Sequence, residues 1–244
     1  MSKKKMVYSI ILLFLVGSIL FIYNEFNGNP LSKWYAKRTV DNYLAEHYED
    51  KTFRIDEGFY DFKFKEYAFD VIEIGSTSET SNTPETYYFT VRGWFKPTVM
   101  IDGIYTENLD YEAMERLSQE AASDIQSILL ENNVSSVHSV DVQLEILKGE
   151  YSSEQPWSKQ MELEKPFSMH MFLDVTNREK EQFYEDVKSI QTILNKEGYL
   201  YDSVTINGNI IEGNRKDESG YVKYYVSFTP ETEIEMESIK EFSE

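Results

Sequence analysis

The chain has 244 residues, 43 of them acidic and 24 basic, with a formal charge of −19 and no cysteine. The missing thiols exclude disulfides, thiolate nucleophiles and cysteine-ligated zinc or iron–sulfur sites, and they fit an extracytoplasmic setting. The negative charge excludes a nucleic-acid partner, whose phosphates would be repelled, and counts against close attachment to an anionic lipid surface.

Lys3, Lys4 and Lys5 form a basic tip over residues 1–6. Residues 7–23 (VYSIILLFLVGSILFIY) carry no charge. As a helix they extend about 25 Å, near the lower end of what crosses a hydrocarbon core. Tyr8 and Tyr23 stand near the two ends, where aromatic rings prefer the interface. No small-residue cleavage site follows, and a lipoprotein would need an acceptor cysteine, so the run reads as an uncleaved single-pass anchor. The lysines then place the N-terminus inside and the rest outside. All 43 acidic residues and 21 of the 24 basic ones follow residue 23, so the outer part carries −22. That charge reads chiefly as a solvated surface.

The first outer module spans 31–104. Residues 32–48 have helical spacing, with Ala36, Val40, Tyr43, Leu44 and His47 on one face, Pro30 near the start and Ser32 as a cap. Alternation of Tyr60, Phe62 and Phe64, then Tyr67, Phe69 and Val71, predicts one bent strand or two short ones over 52–75. The stretch 76–86 is a Ser/Thr-rich loop, and 87–101 returns to strand character.

The second module spans 105–230. A helix over 109–132, capped by Asn108, buries Met114, Leu117, Ala121, Ile125 and Ile128. A strand over 137–147, a connection over 148–166 and a strand over 167–176 follow. Thr176 and Glu179 form a capping box for a helix over 177–197, lined by Phe183, Val187, Ile190 and Leu194 and ended by Gly198. Strands over 202–211 and 220–229 close the module, unless Asn207–Asn209 makes a hairpin turn within the first. The run over 231–244 reads as an acidic tail or an exposed last helix. The fold class is α+β, with helices packed on mostly antiparallel sheet.

The basic start, the apolar span, NGNP (27–30), WYAKRTVDNYL (34–44) and FYDFKFKEYAFDV (59–71) together resemble the YfjL-like proteins. The resemblance implies a membrane-anchored protein of a Gram-positive cell envelope, in a family whose function is not established. It carries no functional residue across. The layout is also similar to cystatin-like and PepSY-like modules, an analogy of architecture alone.

Chemistry is sparse. His47, His138 and His170 lack convergent partners. His170 and Asp174 share a strand face but stand about 13 Å apart at strand rise. No metal-protease, phosphate-loop or nucleophile-elbow motif occurs. No catalytic, cofactor or metal residue is assigned, and the chain reads as a non-enzyme. Trp157, in the polar loop SSEQPWSKQ, is either a contact aromatic or a side chain that pins its loop. Arg215 and Lys216, in the exposed loop 213–220, are the other candidate partner contacts. The reading these features favour is an extracytoplasmic module that binds an envelope protein or peptide through a sheet edge or loop. A carboxylate-using envelope hydrolase and a cation-binding acidic surface are the alternatives.

Overall fold

The structure is a computed structural model describing residues 3–75, 84–93, 96–152, 154–211 and 220–242. The chain forms two compact units, 1–108 and 109–244.

In the first unit, α1 (Lys3–Asn27) is the one helix among the described residues long and apolar enough to span a membrane. Its apolar side chains from Met6 to Tyr23 are largely exposed. Gly28, at φ +66°, ends it. Then α2 (Pro30–His47) begins with proline at its first position and Asn29 as N-cap. The cap is therefore Asn29 rather than Ser32, whose amide donates to Asn29 Oδ1 at 2.8 Å. Helix α2 buries Ser32, Ala36, Val40 and Leu44, four residues apart. His47 does not join this stripe. It is exposed, with its ring stacked on Tyr43 at 4.0 Å, because the narrow i,i+4 seam stops at Leu44.

Strands β1 (Phe53–Ile55), β2 (Phe59–Asp61), β3 (Glu66–Glu73), β4 (Thr86–Arg92) and β5 (Thr98–Ile101) make an antiparallel sheet of order β1-β3-β4-β5, with β2 also pairing β3. The region expected as one or two strands is thus three. A short helix, α3 (Gly103–Glu107), follows. The core joins Ala36, Val40 and Leu44 to Tyr67, Phe69, Val71, Phe89, Val91 and Ile104. Asp102 is held by the hydroxyls of Tyr43 and Tyr48 at 3.0 and 2.6 Å.

The second unit begins with α4 (Tyr111–Glu131), whose N-cap is Asp110 and not Asn108; Asn108 instead ends α3. Strand β6 (Val137–Gln143) and β7 (Phe167–Asp174) pair antiparallel. Helix α5 (Lys180–Glu197) then leads to β8 (Tyr201–Ile210) and β9 (Tyr221–Phe228). Its capping box is formed by Glu179 and Gln182, one turn past the expected Thr176 start. Thr176 lies in the preceding turn, where its amide and hydroxyl both donate to Asp174 Oδ1, at 2.9 and 2.6 Å.

With a last short strand, β10 (Lys240–Glu241), the sheet order is β10-β9-β8-β7-β6, all antiparallel except β7–β8, which the α5 crossover makes parallel. Asn207–Asn209 lies inside the continuous strand β8, so the hairpin alternative does not occur. Gly208 is required there because a Cβ would meet the Phe183 ring at 2.9 Å. The C-terminal run is not a free tail. Ile234 and Ile239 are buried, and β10 (Lys240–Glu241) pairs with β9.

Leu117, Ala121 and Ile125 of α4 and Phe183, Val187, Ile190 and Leu194 of α5 are fully buried. They pack with the inward residues Met169, Met171, Leu173, Val204, Ile206, Tyr224 and Val226. The opposite sheet face carries Ser168, His170 and Phe172 at intermediate exposure.

Candidate functional site

Strand order leaves β6 at the edge of the second sheet, with α4 beside it. Between them runs an open groove of about 1110 Å³. Met114, Ser118, Gln119, Ala122, Ser123 and Gln126 form the helix side, and Val140–Glu145 form the strand side. The groove exists because α4 presents small residues here. Ser118, Ala122 and Ser123 recur at i, i+4 and i+5, so no long side chain fills the space above the strand edge.

The edge itself is bracketed. Gln126 Nε2 donates to the carbonyl of His138 at 3.1 Å, and the amide of Leu144 donates to Ser118 Oγ at 3.2 Å. Backbone groups of alternate residues point the same way along a strand. Leu144 therefore marks the outward-facing set, and Val142 and Val140 belong to it; His138 stands at the bulge between Val137 and Ser139, where the alternation is interrupted. Asp141 and Gln143, opposite His170 and Ser168, face β7 with their backbone groups. Between the two helix-derived caps the N–H and C=O of Val140 and Val142 turn away from β7, with Val140 partly exposed to the groove and Val142 buried.

The side chains alternate at right angles to this. Val140 and Val142 turn toward the core beneath α4. Asp141 and Gln143 turn to the other sheet face, and both are exposed. Among the described residues, Glu115, Asp141, Glu145 and Asp202 set four carboxylates around the groove beside one cation, Lys165, which pairs with Glu145 at 2.8 Å. Among the described residues, no three His, Asp or Glu side chains are grouped to hold a metal ion.

Trp157 does not line the groove. Trp157 is half-buried and pins its loop to α4. Its amide donates to Glu120 Oε2 at 2.7 Å, its indole N–H donates to Asp124 Oδ2 at 3.3 Å, and its ring meets Phe167 edge-on at 5.8 Å. The amide of Trp157, with help from Arg116, holds the Glu120 carboxyl below the usual glutamate range. Tyr199 donates to the same Asp124 oxygen at 2.8 Å; burial first, then that carboxylate, push its hydroxyl well above the usual tyrosine value. Arg215 and Lys216 lie outside the described residues. His47 and His138 are exposed, and His170 Nε2 sits 3.1 Å from the Asn207 side-chain nitrogen on the open sheet face.

Sequence reasoning named neither α4 nor β6 as a site. The signal present was the small-residue pattern at 118, 122 and 123, which reads locally as ordinary helix surface.

Comparison with known proteins places these units. The model for a YfjL-like N-terminal domain matches residues 3–103, and that for a YfjL-like C-terminal domain matches 120–241. The chain is 28% identical over 241 residues, 98% of both chains, to the uncharacterized protein YfjL of Bacillus subtilis strain 168. Among solved structures, a DUF5037 family protein from Ruminococcus gnavus aligns with 82% of this chain and 94% of its own, at 10% identity and a TM-score of 0.29.

Proposed function

The chain belongs to the YfjL-like family, and from that premise we propose that it is a membrane-anchored, extracytoplasmic, non-enzymatic binding module. Its second unit takes up an extended, basic segment of a cell-envelope protein or peptide along the outer edge of β6. The observation that carries this reading is the bracketed edge: Gln126 and Ser118 satisfy its two ends, and Val140 and Val142 line the groove between them.

A strand added at this edge lies about 4.8 Å beyond β6 and exchanges main-chain hydrogen bonds with it. Its side chains alternate in step with those of β6. One set points toward Met114 and Ala122, where small or apolar groups fit. The other set lies beside Asp141 and Glu145, where Lys or Arg is favoured and Asp or Glu is repelled.

The anchor and its direction rest on α1 and on Lys3, Lys4 and Lys5 at its start, by the positive-inside rule. The test is fluorescence anisotropy on the full-length chain with a labelled peptide of alternating valine and lysine, and with its valine–glutamate counterpart. The lysine peptide binds, the glutamate peptide binds about tenfold or more weakly, and Val140→Pro removes the lysine peptide's binding. Equal binding of both peptides, or binding that survives Val140→Pro, overturns the reading.

A further inference from the structure

We infer that the first unit has a second contact with the bilayer, an aromatic collar around the outer end of α1 that seats in the lipid interface. This rests on the anchoring proposed above, and it adds a protein surface to it. The apolar run of α1 ends at Tyr23, and at helical rise a core of about 30 Å beginning at Val7 is reached only near Phe26. Phe26 therefore stands at the outer boundary of the hydrocarbon.

The Phe26 ring is 5.4 Å from that of Phe62, at the tip of the β2–β3 hairpin. Two further ties fix this arrangement. Lys65 pairs with Glu25 at 3.3 Å, and the Tyr67 hydroxyl both accepts from the Asn29 amide at 2.9 Å and donates to its carbonyl at 3.1 Å. The hairpin tip is Phe62-Lys63-Phe64-Lys65, shaped by Asp61, whose carboxylate accepts the amides of Lys63 and Phe64. Its aromatic rings are exposed, Phe64 by 60%.

Helix α2 presents a matching stripe. Leu31, Trp34 and Tyr35 are exposed at i, i+3 and i+4, on the face away from Ala36 and Val40. Arg38 completes the stripe and lies over the Trp34 ring at 5.6 Å. Such a stripe in the first turns after an anchor, with Trp and Tyr beside cations, has the composition of an interfacial belt. Lys33, Lys37, Arg38, Lys63 and Lys65 outnumber Glu25, Glu57 and Asp61 here, although the outer part as a whole is strongly acidic. The long cationic stems let the charges reach phosphates while the rings stay in the boundary layer. Global charge alone thus misreads this surface: the local patch is basic and aromatic.

The absence of cysteine allows single-site labelling of the full chain. An environment-sensitive fluorophore is placed on Phe14→Cys, Lys63→Cys or Phe64→Cys, in vesicles of equal parts phosphatidylcholine and phosphatidylglycerol. Spin-labelled lipids quench from either the headgroup region or the acyl-chain depth. Loss of emission at 63 and 64 with headgroup quenchers, beside loss at 14 with deep quenchers, supports the collar. Quenching at 14 without any at 63 or 64 overturns the collar and leaves the anchor standing. No quenching at 14 overturns the anchor, and the collar with it.

Discussion

The side-chain amide of Gln126 reaches across from α4 to the carbonyl oxygen of His138 at 3.1 Å, so one end of the β6 edge is closed by the helix beside it. Ser118 does the same at the other end, through the amide of Leu144. Removing one partner of such a bond costs about 0.5–1.5 kcal/mol. Gln126→Ala and Ser118→Ala should each lower the stability of the second unit by about that amount, read as a shift in denaturant midpoint. Neither should abolish folding, because the α4 core residues remain.

The charge on the groove sets its preference. Asp141→Lys places a cation beside the position where a bound segment presents its own. Binding of a lysine–valine peptide should weaken by about tenfold, and that of a glutamate–valine peptide should strengthen. Titration at two salt concentrations checks the origin, since the difference between the peptides should shrink at high salt.

Leu117 and Ile125 are fully buried between α4 and the sheet. Leu117→Ala or Ile125→Ala should cost about 2–5 kcal/mol through lost burial and the cavity left behind. Circular dichroism melting of the full chain should show the loss.

Gly28 joins α1 to α2 in the left-handed region, at φ +66°. A Cβ there would overlap the Tyr67 hydroxyl and meet the Tyr60 ring at 2.9 Å. Gly28→Ala should therefore destabilise the first unit by about 1–3 kcal/mol, combining backbone strain with displacement of Tyr67. Tyr67→Phe, which loses the two hydrogen bonds to Asn29 but no space, should cost less.

The Trp157 loop carries a pH signature. The Trp157 amide holds the Glu120 carboxyl below its ordinary value of 4.5. A depressed folded value means this contribution is complete above pH 4.5 and is lost as pH falls through the folded value. With Trp34 and Trp94 replaced by Phe, the emission of Trp157 should be constant above that pH and change below it. Glu120→Gln should remove the transition.

The local part of this fold is visible in the sequence. Phe167, Met169, Met171 and Leu173 alternate on β7, and Phe183, Val187, Ile190 and Leu194 line α5, because burial on one face imposes periods of two and 3.6. Helix caps were less legible, since Asn108 and Asp110 are both good caps and only the start of the packed stripe decides between them. The site was not legible at all. That β6 stands at an edge follows from β7 pairing with β8 across α5, a long-range choice that no residue of β6 records. Likewise Ile234 and Ile239 sit in an acidic run, and only the space beside β9 shows that they are core. The collar hid for a different reason. The sequence showed the alternation of Phe62 and Phe64 but not that they lie in a turn, outside the sheet.

The most direct measurement is residue-resolved amide hydrogen exchange of the full-length chain, with and without the lysine–valine peptide. Strand addition at β6 requires slower exchange at Val140 and Val142 on peptide binding, while Asp141, already paired toward β7, changes little. Peptide binding with no change at Val140 and Val142, or with protection confined to other segments, would contradict it.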